Sequence, residues 1–483
     1  MKNIINPLYL IIATISLFAS CANETVQEEK KPPNILFIAV DDLRPELNCY
    51  GKSDIISPNI DQLASEGMLF TRSYCNVPTC GASRASLMTG MRPGRHRFLT
   101  FKTMVEEDAP NAIVLSQHFK NNGYTTISNG KVLHNMEDRK ESWDDLWRLA
   151  SNSSNRDYQQ THNIALDTGN STRGYFFENA NVHDTIYRDG KIANKTIRDL
   201  HRLKTSKKPF FLAVGFMKPH LPFNAPTKYW DMYDRNKIQL PDNNYRPKDA
   251  PDASVHNSGE LRAYTGIPKK APLNDSLAIT MIHGYRACVS YVDAQIGRVL
   301  DALKETGLDK NTIVVLWGDH GWNLREHGLW CKHCNFNTSL HAPLITKVPG
   351  IEGGKKSDAL IEFVDIYPTL CELAGIAPPE NQLEGESYLS LLKDPNSHWN
   401  NQIIAKFRDG LTIKTDRYSY TEWSKSDTTT YARMLYDHQN DYAENTNISE
   451  LPENKILVDS LSKLLLENRG RNFNNRPKSS QTK

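Results

Sequence analysis

The chain has 483 residues, 39% hydrophobic and 24% charged, a balance that excludes a disordered chain and leaves room for one large core and a smaller second unit. A formal net charge of +2 gives no global field for nucleic acid or an acidic membrane surface, so charge-based chemistry must be local. The cysteines, at 21, 49, 75, 80, 288, 331, 334 and 371, are too sparse and irregular for a disulfide scaffold in a chain of this length.

The N-terminus predicts an export signal. Lys2 precedes the apolar run Leu8 to Leu17, which is too short to span a bilayer, and Phe18-Ala19-Ser20-Cys21 follows. Small residues before a cysteine resemble the lipobox, in which the cysteine is lipidated after cleavage; the alternative is a cleaved secretory signal with an incidental cysteine. Residues 1–21 are read as a lipoprotein-type signal peptide ending at its lipidation site, Cys21, and residues 22–33 as a polar tether. The expected location is outside the cytoplasm, at a bacterial membrane, in the periplasm or at the cell surface, with the lipid anchor as the only membrane contact.

Next come short apolar runs that stop at polar residues. Asn34 to Val40 ends at Asp41-Asp42, Tyr124 to Ser128 runs into Lys131 and His134, Phe210 to Phe216 into Lys218-Pro219-His220, and Thr312 to Trp317 into Asp319-His320. Continuous rather than alternating apolar runs predict strands buried on both faces, with ligand groups collected at their carboxyl ends. Helices are predicted between them: Ser57-Pro58 to Glu66-Gly67 has a serine cap, a first-turn proline and a terminal glycine, and residues 284–306 carry a stripe of Val289, Val292, Ile296, Val299 and Leu303. The pattern is therefore α/β over residues 34–390. Residues 391–467 change to short aromatic and β-branched pieces, predicting a smaller antiparallel sheet closed by a helix near 454–467, and the polar stretch 468–483 reads as a disordered tail.

Adjacent carboxylates at the end of a buried strand cost free energy unless a cation compensates them, so Asp41-Asp42 with Asp319 point to a hard divalent ion, calcium or magnesium. The segment Cys80-Gly81-Ala82-Ser83-Arg84-Ala85-Ser86-Leu87-Met88-Thr89-Gly90 resembles the signature of the type I sulfatases of the alkaline phosphatase-like superfamily. Further matches are Asp41-Asp42-Leu-Arg-Pro45, Asn129-Gly-Lys-Val-Leu-His134, Phe211 to His220, Tyr291 to Gly297, Gly318-Asp-His-Gly-Trp322 and Glu326-His-Gly328. They cover roughly residues 33–465 and are most similar to the iduronate-2-sulfatase-like branch.

That resemblance implies a large mixed sheet flanked by helices over residues 34–390, and a sulfuric ester hydrolase acting on a sulfated oligosaccharide or polysaccharide, such as a uronate 2-sulfate or an algal glycan unit. It implies that a separate maturation enzyme oxidises Cys80 to formylglycine (3-oxoalanine). The hydrated aldehyde has one hydroxyl to attack sulfur and a second whose deprotonation expels sulfate. It further implies calcium (Ca2+) bound by Asp41, Asp42, Asp319 and His320 together with the modified Cys80. Around a sulfate whose charge spreads as the ester breaks, Arg84 would anchor the aldehyde hydrate, and Lys131 and Lys332 would hold sulfate oxygens. His220 is the candidate proton donor to the departing sugar oxygen and His134 the candidate base, two roles that could be exchanged.

Cys331-Lys332-His333-Cys334, preceded by His327, has short thiolate and imidazole spacing compatible with zinc, but Lys332 falls where the family has its sulfate-binding lysine. A local disulfide or two unpaired thiols are the remaining options. The rival functions are a phosphonate or phosphate diester hydrolase of the same superfamily and a glycan-binding lipoprotein without turnover. The oxidisable cysteine argues against the latter.

Overall fold

The computed structural model describes residues 31–149, 156–169, 172–270, 272–426, 429–471 and 473–476. Residues 1–30, including Cys21, lie outside the described residues. An eight-stranded sheet is built from β1 (Asn34–Val40), β2 (Met68–Tyr74), β3 (Thr125–Gly130), β4 (Asp145–Trp147), β5 (Phe210–Phe216), β6 (Thr312–Gly318), β7 (Leu344–Lys347) and β8 (Lys355–Glu362), in the order β8-β2-β7-β6-β1-β5-β3-β4. β7 is antiparallel to both its neighbours and every other pairing is parallel. The sheet is the mixed one the sequence predicts.

Every residue of β1 is buried, which is why its pattern is continuous rather than alternating. Ile35, Phe37 and Ala39 pack on one face with Ala82, Ala85 and Met88 of helix α2 (Cys80–Thr89). Leu36, Ile38 and Val40 pack on the other with Val289, Val292 and Ile296 of the long helix α4 (Asp275–Glu305), beside α1 (Pro58–Glu66) and α3 (Arg188–Leu203). Deleting one such side chain, as in Phe37→Ala, costs about 3–5 kcal/mol, because the cavity it leaves cannot close fully.

Register brings the strand ends level. Val40 pairs with Gly318 on one side and Phe216 on the other, and Gly130 pairs with Gly215. The residues that follow these strands therefore share one edge of the sheet. Gly215 has no alternative there, since a Cβ would lie 2.0 Å from the carbonyl oxygen of Lys131.

The second unit is a four-stranded antiparallel sheet, β9 (Ile403–Phe407), β10 (Gly410–Lys414), β11 (Tyr418–Ser426) and β12 (Thr429–Asp437), covered by helix α5 (Lys455–Asn468). Its class and closing helix agree with the sequence reading, although β9 carries too little turn punctuation to be singled out there. Among the described residues no helix is long and apolar enough to cross a membrane.

Three local expectations need correction. Ser57 does not cap α1 with its side chain; the carboxylate of Asp293 on α4 accepts from the N–H groups of Asn59 and Ile60 at 3.3 and 2.8 Å. Helix α4 begins at Asp275 rather than 284, because the Asn274 side chain caps it by accepting from the N–H of Leu277 at 2.9 Å. In the expected disordered tail, Phe473 is buried and its carbonyl accepts from the N–H of Arg95 at 2.7 Å; one aromatic side chain docks an otherwise polar stretch.

Candidate active site

Asp41 and Asp42 follow β1, Asp319 and His320 follow β6, Lys131 follows β3, and His220 lies just beyond β5. Chain neighbours did not bring these groups together; the shared sheet edge did. The N–H of Asp42 donates to Asp319 Oδ1 at 2.9 Å, joining the two strand ends directly. Arg44, in the Asp-Asp-Leu-Arg-Pro segment, donates to Trp322 O at 3.0 Å and Glu326 Oε1 at 2.8 Å, tying a third matched segment to the first.

Cys80 opens α2, whose N-terminal end points its partial positive charge at the same edge. Its thiol is buried, 3.3 Å from His320 Nε2 and 3.7 Å from Asp42 Oδ1. Burial, reinforced by the Asp41 carboxylate, pushes that thiol well above the usual range, so the unmodified residue is a poor thiolate. Gly81 lets the helix start pack against the backbone of Phe101, where a Cβ would come within 2.2 Å of a carbonyl oxygen.

Arg84, one turn on, is fully buried. It donates from Nε to Asp319 Oδ2 at 2.9 Å, from Nη2 to Asp41 Oδ1 at 3.0 Å, and from Nη1 to the carbonyls of Lys131 and Val132. A single Nη2 hydrogen remains uncommitted, available to whatever occupies the Cys80 position. Lys131 Nζ sits 2.5 Å from Asp41 Oδ2, and Lys332 Nζ lies 3.0 and 3.1 Å from the two Asp42 oxygens. Lys332 also stands 4.8 Å over the ring of Trp322.

Left-handed backbone at Asp42 (φ 60°), Cys331 (φ 69°) and His333 (φ 75°) is uncommon for residues other than glycine and is tolerated where surrounding contacts fix it. At 331 and 333 it flanks Lys332, whose side chain turns inward onto Asp42.

Ligand atoms of Asp42, Cys80, Asp319 and His320 lie within 4.8 Å of one another, as do those of Asp41, Asp42, Cys80 and His220. Burial, with the Asp41 carboxylate adding to it, raises the Asp42 carboxyl above its ordinary value, whereas burial at Asp41 is overcome by Lys131 and Arg84, which hold that carboxyl well below its own. Counting Asp41, Asp42, Asp319 and Glu260 against Arg84, Lys131 and Lys332, the cluster is one formal unit negative before its histidines are counted. A divalent cation would leave it positive and suited to an anion. Three carboxylates suit a hard ion, and the imidazole of His320 is the departure from an all-oxygen set. Its Nδ1 lies 2.8 Å from Gly321 O; a carbonyl only accepts, so Nδ1 carries a proton and Nε2 is the ring nitrogen turned to the cluster.

His220 is arranged similarly, with Nδ1 2.6 Å from Leu221 O, but its Nε2 faces Glu260 Oε1 at 3.3 Å and Asp42 Oδ2 at 3.8 Å. Burial opposes a charge on this ring, yet Asp42, Asp41 and Glu260 outweigh it and raise its pKa. His220 is 24% exposed where Asp42 and Asp319 are fully buried, so the site opens on its side. His134 stands beyond Lys131 with its ring centroid 6.0 Å from that of Phe101 and its buried Nδ1 without a protein partner. Burial and the Lys131 charge push it down to about 2, so it is a neutral imidazole and a weak base in this state.

All ten residues singled out at this edge therefore meet or flank one cluster. Glu260 is the member that sequence reasoning missed. It sits on a helical turn, Gly259–Arg262, in a polar stretch without a motif, and links His220 to Lys332 at 3.0 Å. Trp322 was visible in the Gly-Asp-His-Gly-Trp segment but had no assigned role. Cys331 and Cys334 are buried, unpaired thiols and belong to neither of the clusters able to hold a metal among the described residues. Cys334 contacts Ser339 Oγ at 3.0 Å instead, which leaves no basis for the zinc reading or for a disulfide.

A family model described as sulfatase matches residues 33–376, and a sulfatase from Formosa agariphila is 32% identical over 95% of this chain and 91% of its own. The chain belongs to the sulfatase family. It is a sulfuric ester hydrolase. A second model, described as the C-terminal part of N-sulphoglucosamine sulphohydrolase, matches residues 325–471 of this sulfatase. Human iduronate 2-sulfatase is 34% identical over 72% of the chain and 70% of its own length. Among solved structures, a phosphonate monoester hydrolase from Silicibacter pomeroyi superimposes with a TM-score of 0.76 at 21% identity, covering 90% of this chain and 95% of that one. A protein in complex with its substrate D-glucosamine-2-N,6-O-disulfate does so at 0.72 and 20%, covering 92% and 99%. At those identities the likeness establishes the alkaline phosphatase-like fold.

Proposed function

We propose that this sulfatase hydrolyses sulfate esters on a carbohydrate, with Cys80 matured to formylglycine and a calcium ion held by Asp41, Asp42, Asp319 and His320. The observation that carries the reading is the convergence of the Cys80 thiol, 3.3 Å from His320 and 3.7 Å from Asp42, on a carboxylate cluster that a divalent ion would leave positive. Formylglycine would supply the hydroxyl that attacks sulfur, and calcium would polarise the sulfate.

The chain's own residues do the rest. Arg84 fixes Asp41 and Asp319 and keeps one Nη2 hydrogen for the aldehyde hydrate. Lys131 and Lys332, fixed by Asp41 and Asp42, are donors prepositioned for sulfate oxygens, so little reorganisation is needed as charge develops. His220, facing the open side, protonates the sugar oxygen as the ester breaks. His134 is the base for the proton released when sulfate is expelled, a role that needs bound sulfate to offset the Lys131 charge that adds to burial in holding its pKa down.

A sulfated sugar is supported by the human iduronate 2-sulfatase relative and by the neighbour bound to a glucosamine disulfate. The reading includes export and a lipid anchor at Cys21, supported by Phe18-Ala-Ser-Cys21 in the sequence; transfer of a Cys21→Ser form from the membrane to the soluble fraction is the expected result.

The test compares wild type and Cys80→Ala, both made in a host with the maturation enzyme, on monosaccharide sulfates and on phosphate and phosphonate esters in parallel. Sulfate release by wild type alone is expected. Turnover confined to phosphonate or phosphate diesters would overturn the assignment in favour of the other hydrolase of this superfamily.

A further inference from the structure

Phe101 and Arg148 both bear on His134, and neither has a part in the chemistry above. His134 is itself partly exposed, so the site is open on this side as well as at His220.

Phe101 is 52% exposed, yet its position is fixed. Its carbonyl lies against Gly81, the residue after Cys80, and its ring centroid is 6.0 Å from that of His134, with the rings nearly edge to face. It occupies the tip of a braced turn, in which the N–H of Thr103 donates to Thr100 O at 3.2 Å and the N–H of Lys102 to Thr100 Oγ1 at 3.1 Å. Before the turn, Phe98 is fully buried and its N–H donates to the Asp108 carboxylate at 2.7 Å. After it, the N–H of Val105 donates to Asp138 Oδ2 at 2.8 Å, tying the turn to the segment that follows His134. A single exposed apolar side chain is ordinary on a protein surface. One held by a rigid turn at the rim of a catalytic cluster is a prepared contact face, because little ordering remains to be done on binding.

Arg148 directly follows β4, as Lys131 follows β3, and the register pairs Trp147 with Asn129. It therefore belongs to the same edge of the sheet as the site. Half-buried, it donates from Nη1 to the His134 carbonyl at 2.9 Å and makes no ion pair among the described residues. Burial, with the Arg84 and Arg188 charges adding to it, outweighs Asp41 and pulls its pKa down to about 10. Asp41 is already committed to Arg84 and Lys131. Arg148 is thus a charge without a carboxylate of its own, and most of its planar fork of N–H donors is uncommitted.

The two observations are independent and meet at His134, an apolar face against its ring and a guanidinium against its backbone. That combination matches a sugar. The negative π face of Phe101 attracts the polarised C–H groups on one side of a pyranose, and an acidic substituent on the sugar suits a guanidinium. An inorganic anion would use only the second of these.

We propose that Phe101 and Arg148 form the sugar subsite of this enzyme: Phe101 carries the C–H face of the sugar bearing the ester, and Arg148 pairs with a second oxyanion on that sugar, a carboxylate or another sulfate. The proposal rests on the carbohydrate-sulfatase reading and deepens it, since it selects an acidic sugar sulfate over a neutral one.

Phe101→Ala, Phe101→Tyr and Arg148→Gln are made in the full chain, with thermal unfolding to confirm that each is folded. Steady-state kinetics with matured Cys80 compare a sulfated uronate, a disulfated neutral sugar and a monosulfated neutral sugar. The same sugars and inorganic sulfate are titrated into the variants carrying Cys80→Ala. Expected for Phe101→Ala is a rise of about tenfold in KM on all the sugars, restored by Phe101→Tyr, with the affinity for inorganic sulfate changed less than twofold. Expected for Arg148→Gln is a rise of about tenfold in KM on the uronate sulfate, the disulfated sugar or both, and less than a twofold change on the monosulfated neutral sugar. The acidic substrate that responds names the oxyanion. An unchanged KM in Phe101→Ala, a loss that Phe101→Tyr does not restore, an equal loss of affinity for inorganic sulfate, or an Arg148→Gln effect that is absent or equal on acidic and neutral sugars would overturn the proposal. Wild type that releases no sulfate from any of these sugars, although the Cys80→Ala form binds them with Phe101-dependent affinity, would instead sink the underlying functional reading.

Discussion

The N–H of Asp42 donates to the Asp319 carboxylate at 2.9 Å across 277 residues of chain, while the other Asp319 oxygen accepts from Arg84. One side chain thus clips two strand ends and helps neutralise a buried guanidinium as well as facing the cluster able to hold a metal. Asp319→Ala leaves Arg84 with Asp41 as its one carboxylate partner and is expected to cost up to about 3–5 kcal/mol of stability. Asp319→Asn keeps the shape and removes the charge, so it should lose calcium affinity with a smaller loss of melting temperature. Calcium titration and thermal unfolding on both variants check the separation; full calcium affinity in Asp319→Asn would remove Asp319 from the ligand set.

His220 faces the open side with Nε2 toward Glu260 and Asp42. A sugar alkoxide is a poor leaving group and a nitrophenolate a good one. His220→Ala is therefore expected to lower kcat by about 10² to 10⁴ on a sugar sulfate and far less on an aryl sulfate. Steady-state kinetics on both substrates decide it, since equal losses would make His220 a sulfate-binding or pocket-shaping residue.

Glu260 contacts His220 and Lys332 but belongs to no matched motif. Glu260→Gln preserves its volume and removes the charge that orients both. Outer partners of metal-site residues are typically worth about 10- to 100-fold, and a loss of that size is expected in kcat, with a smaller effect on KM. An unchanged kcat would mean that Lys332 and His220 are positioned by Asp42 alone.

His341, away from the cluster, is buried against Tyr74 with Nε2 2.8 Å from Thr71 O. Burial pulls its pKa down to about 4, whereas in the unfolded chain it titrates near 6.5. Between these values the unfolded state binds more protons, so stability rises with pH. The contribution is complete above about 6.5 and is lost as pH falls towards about 4, on the order of 3 kcal/mol. Denaturant unfolding of wild type and His341→Gln from pH 4 to 7 should show a shallower slope in the variant, and parallel slopes would contradict the assignment.

The strands and the edge where the cluster forms were legible because burial on both faces writes a continuous apolar run that ends where charged residues begin, as at Val40-Asp41 and Gly318-Asp319. The Cys80 helix was legible through its own residues, from Cys80 to Gly90. What was hidden depends on distant partners. Asp293 caps α1 from another helix, Asn274 starts α4 before its valine stripe begins, and Glu260 acquires its importance only when folding sets it beside Lys332. The pairing state of Cys331 and Cys334 was equally undetermined, because spacing alone does not say that the intervening lysine turns inward.

On the proposed mechanism Cys80 is not a thiol in the working enzyme. Mass spectrometry of the peptide spanning Cys80, with an aldehyde-selective capture step, reads this directly in protein from a host with the maturation enzyme. Expected is the aldehyde at position 80, with sulfate-releasing activity proportional to its fraction across preparations. An active preparation whose Cys80 is entirely unmodified thiol would rule out the formylglycine mechanism.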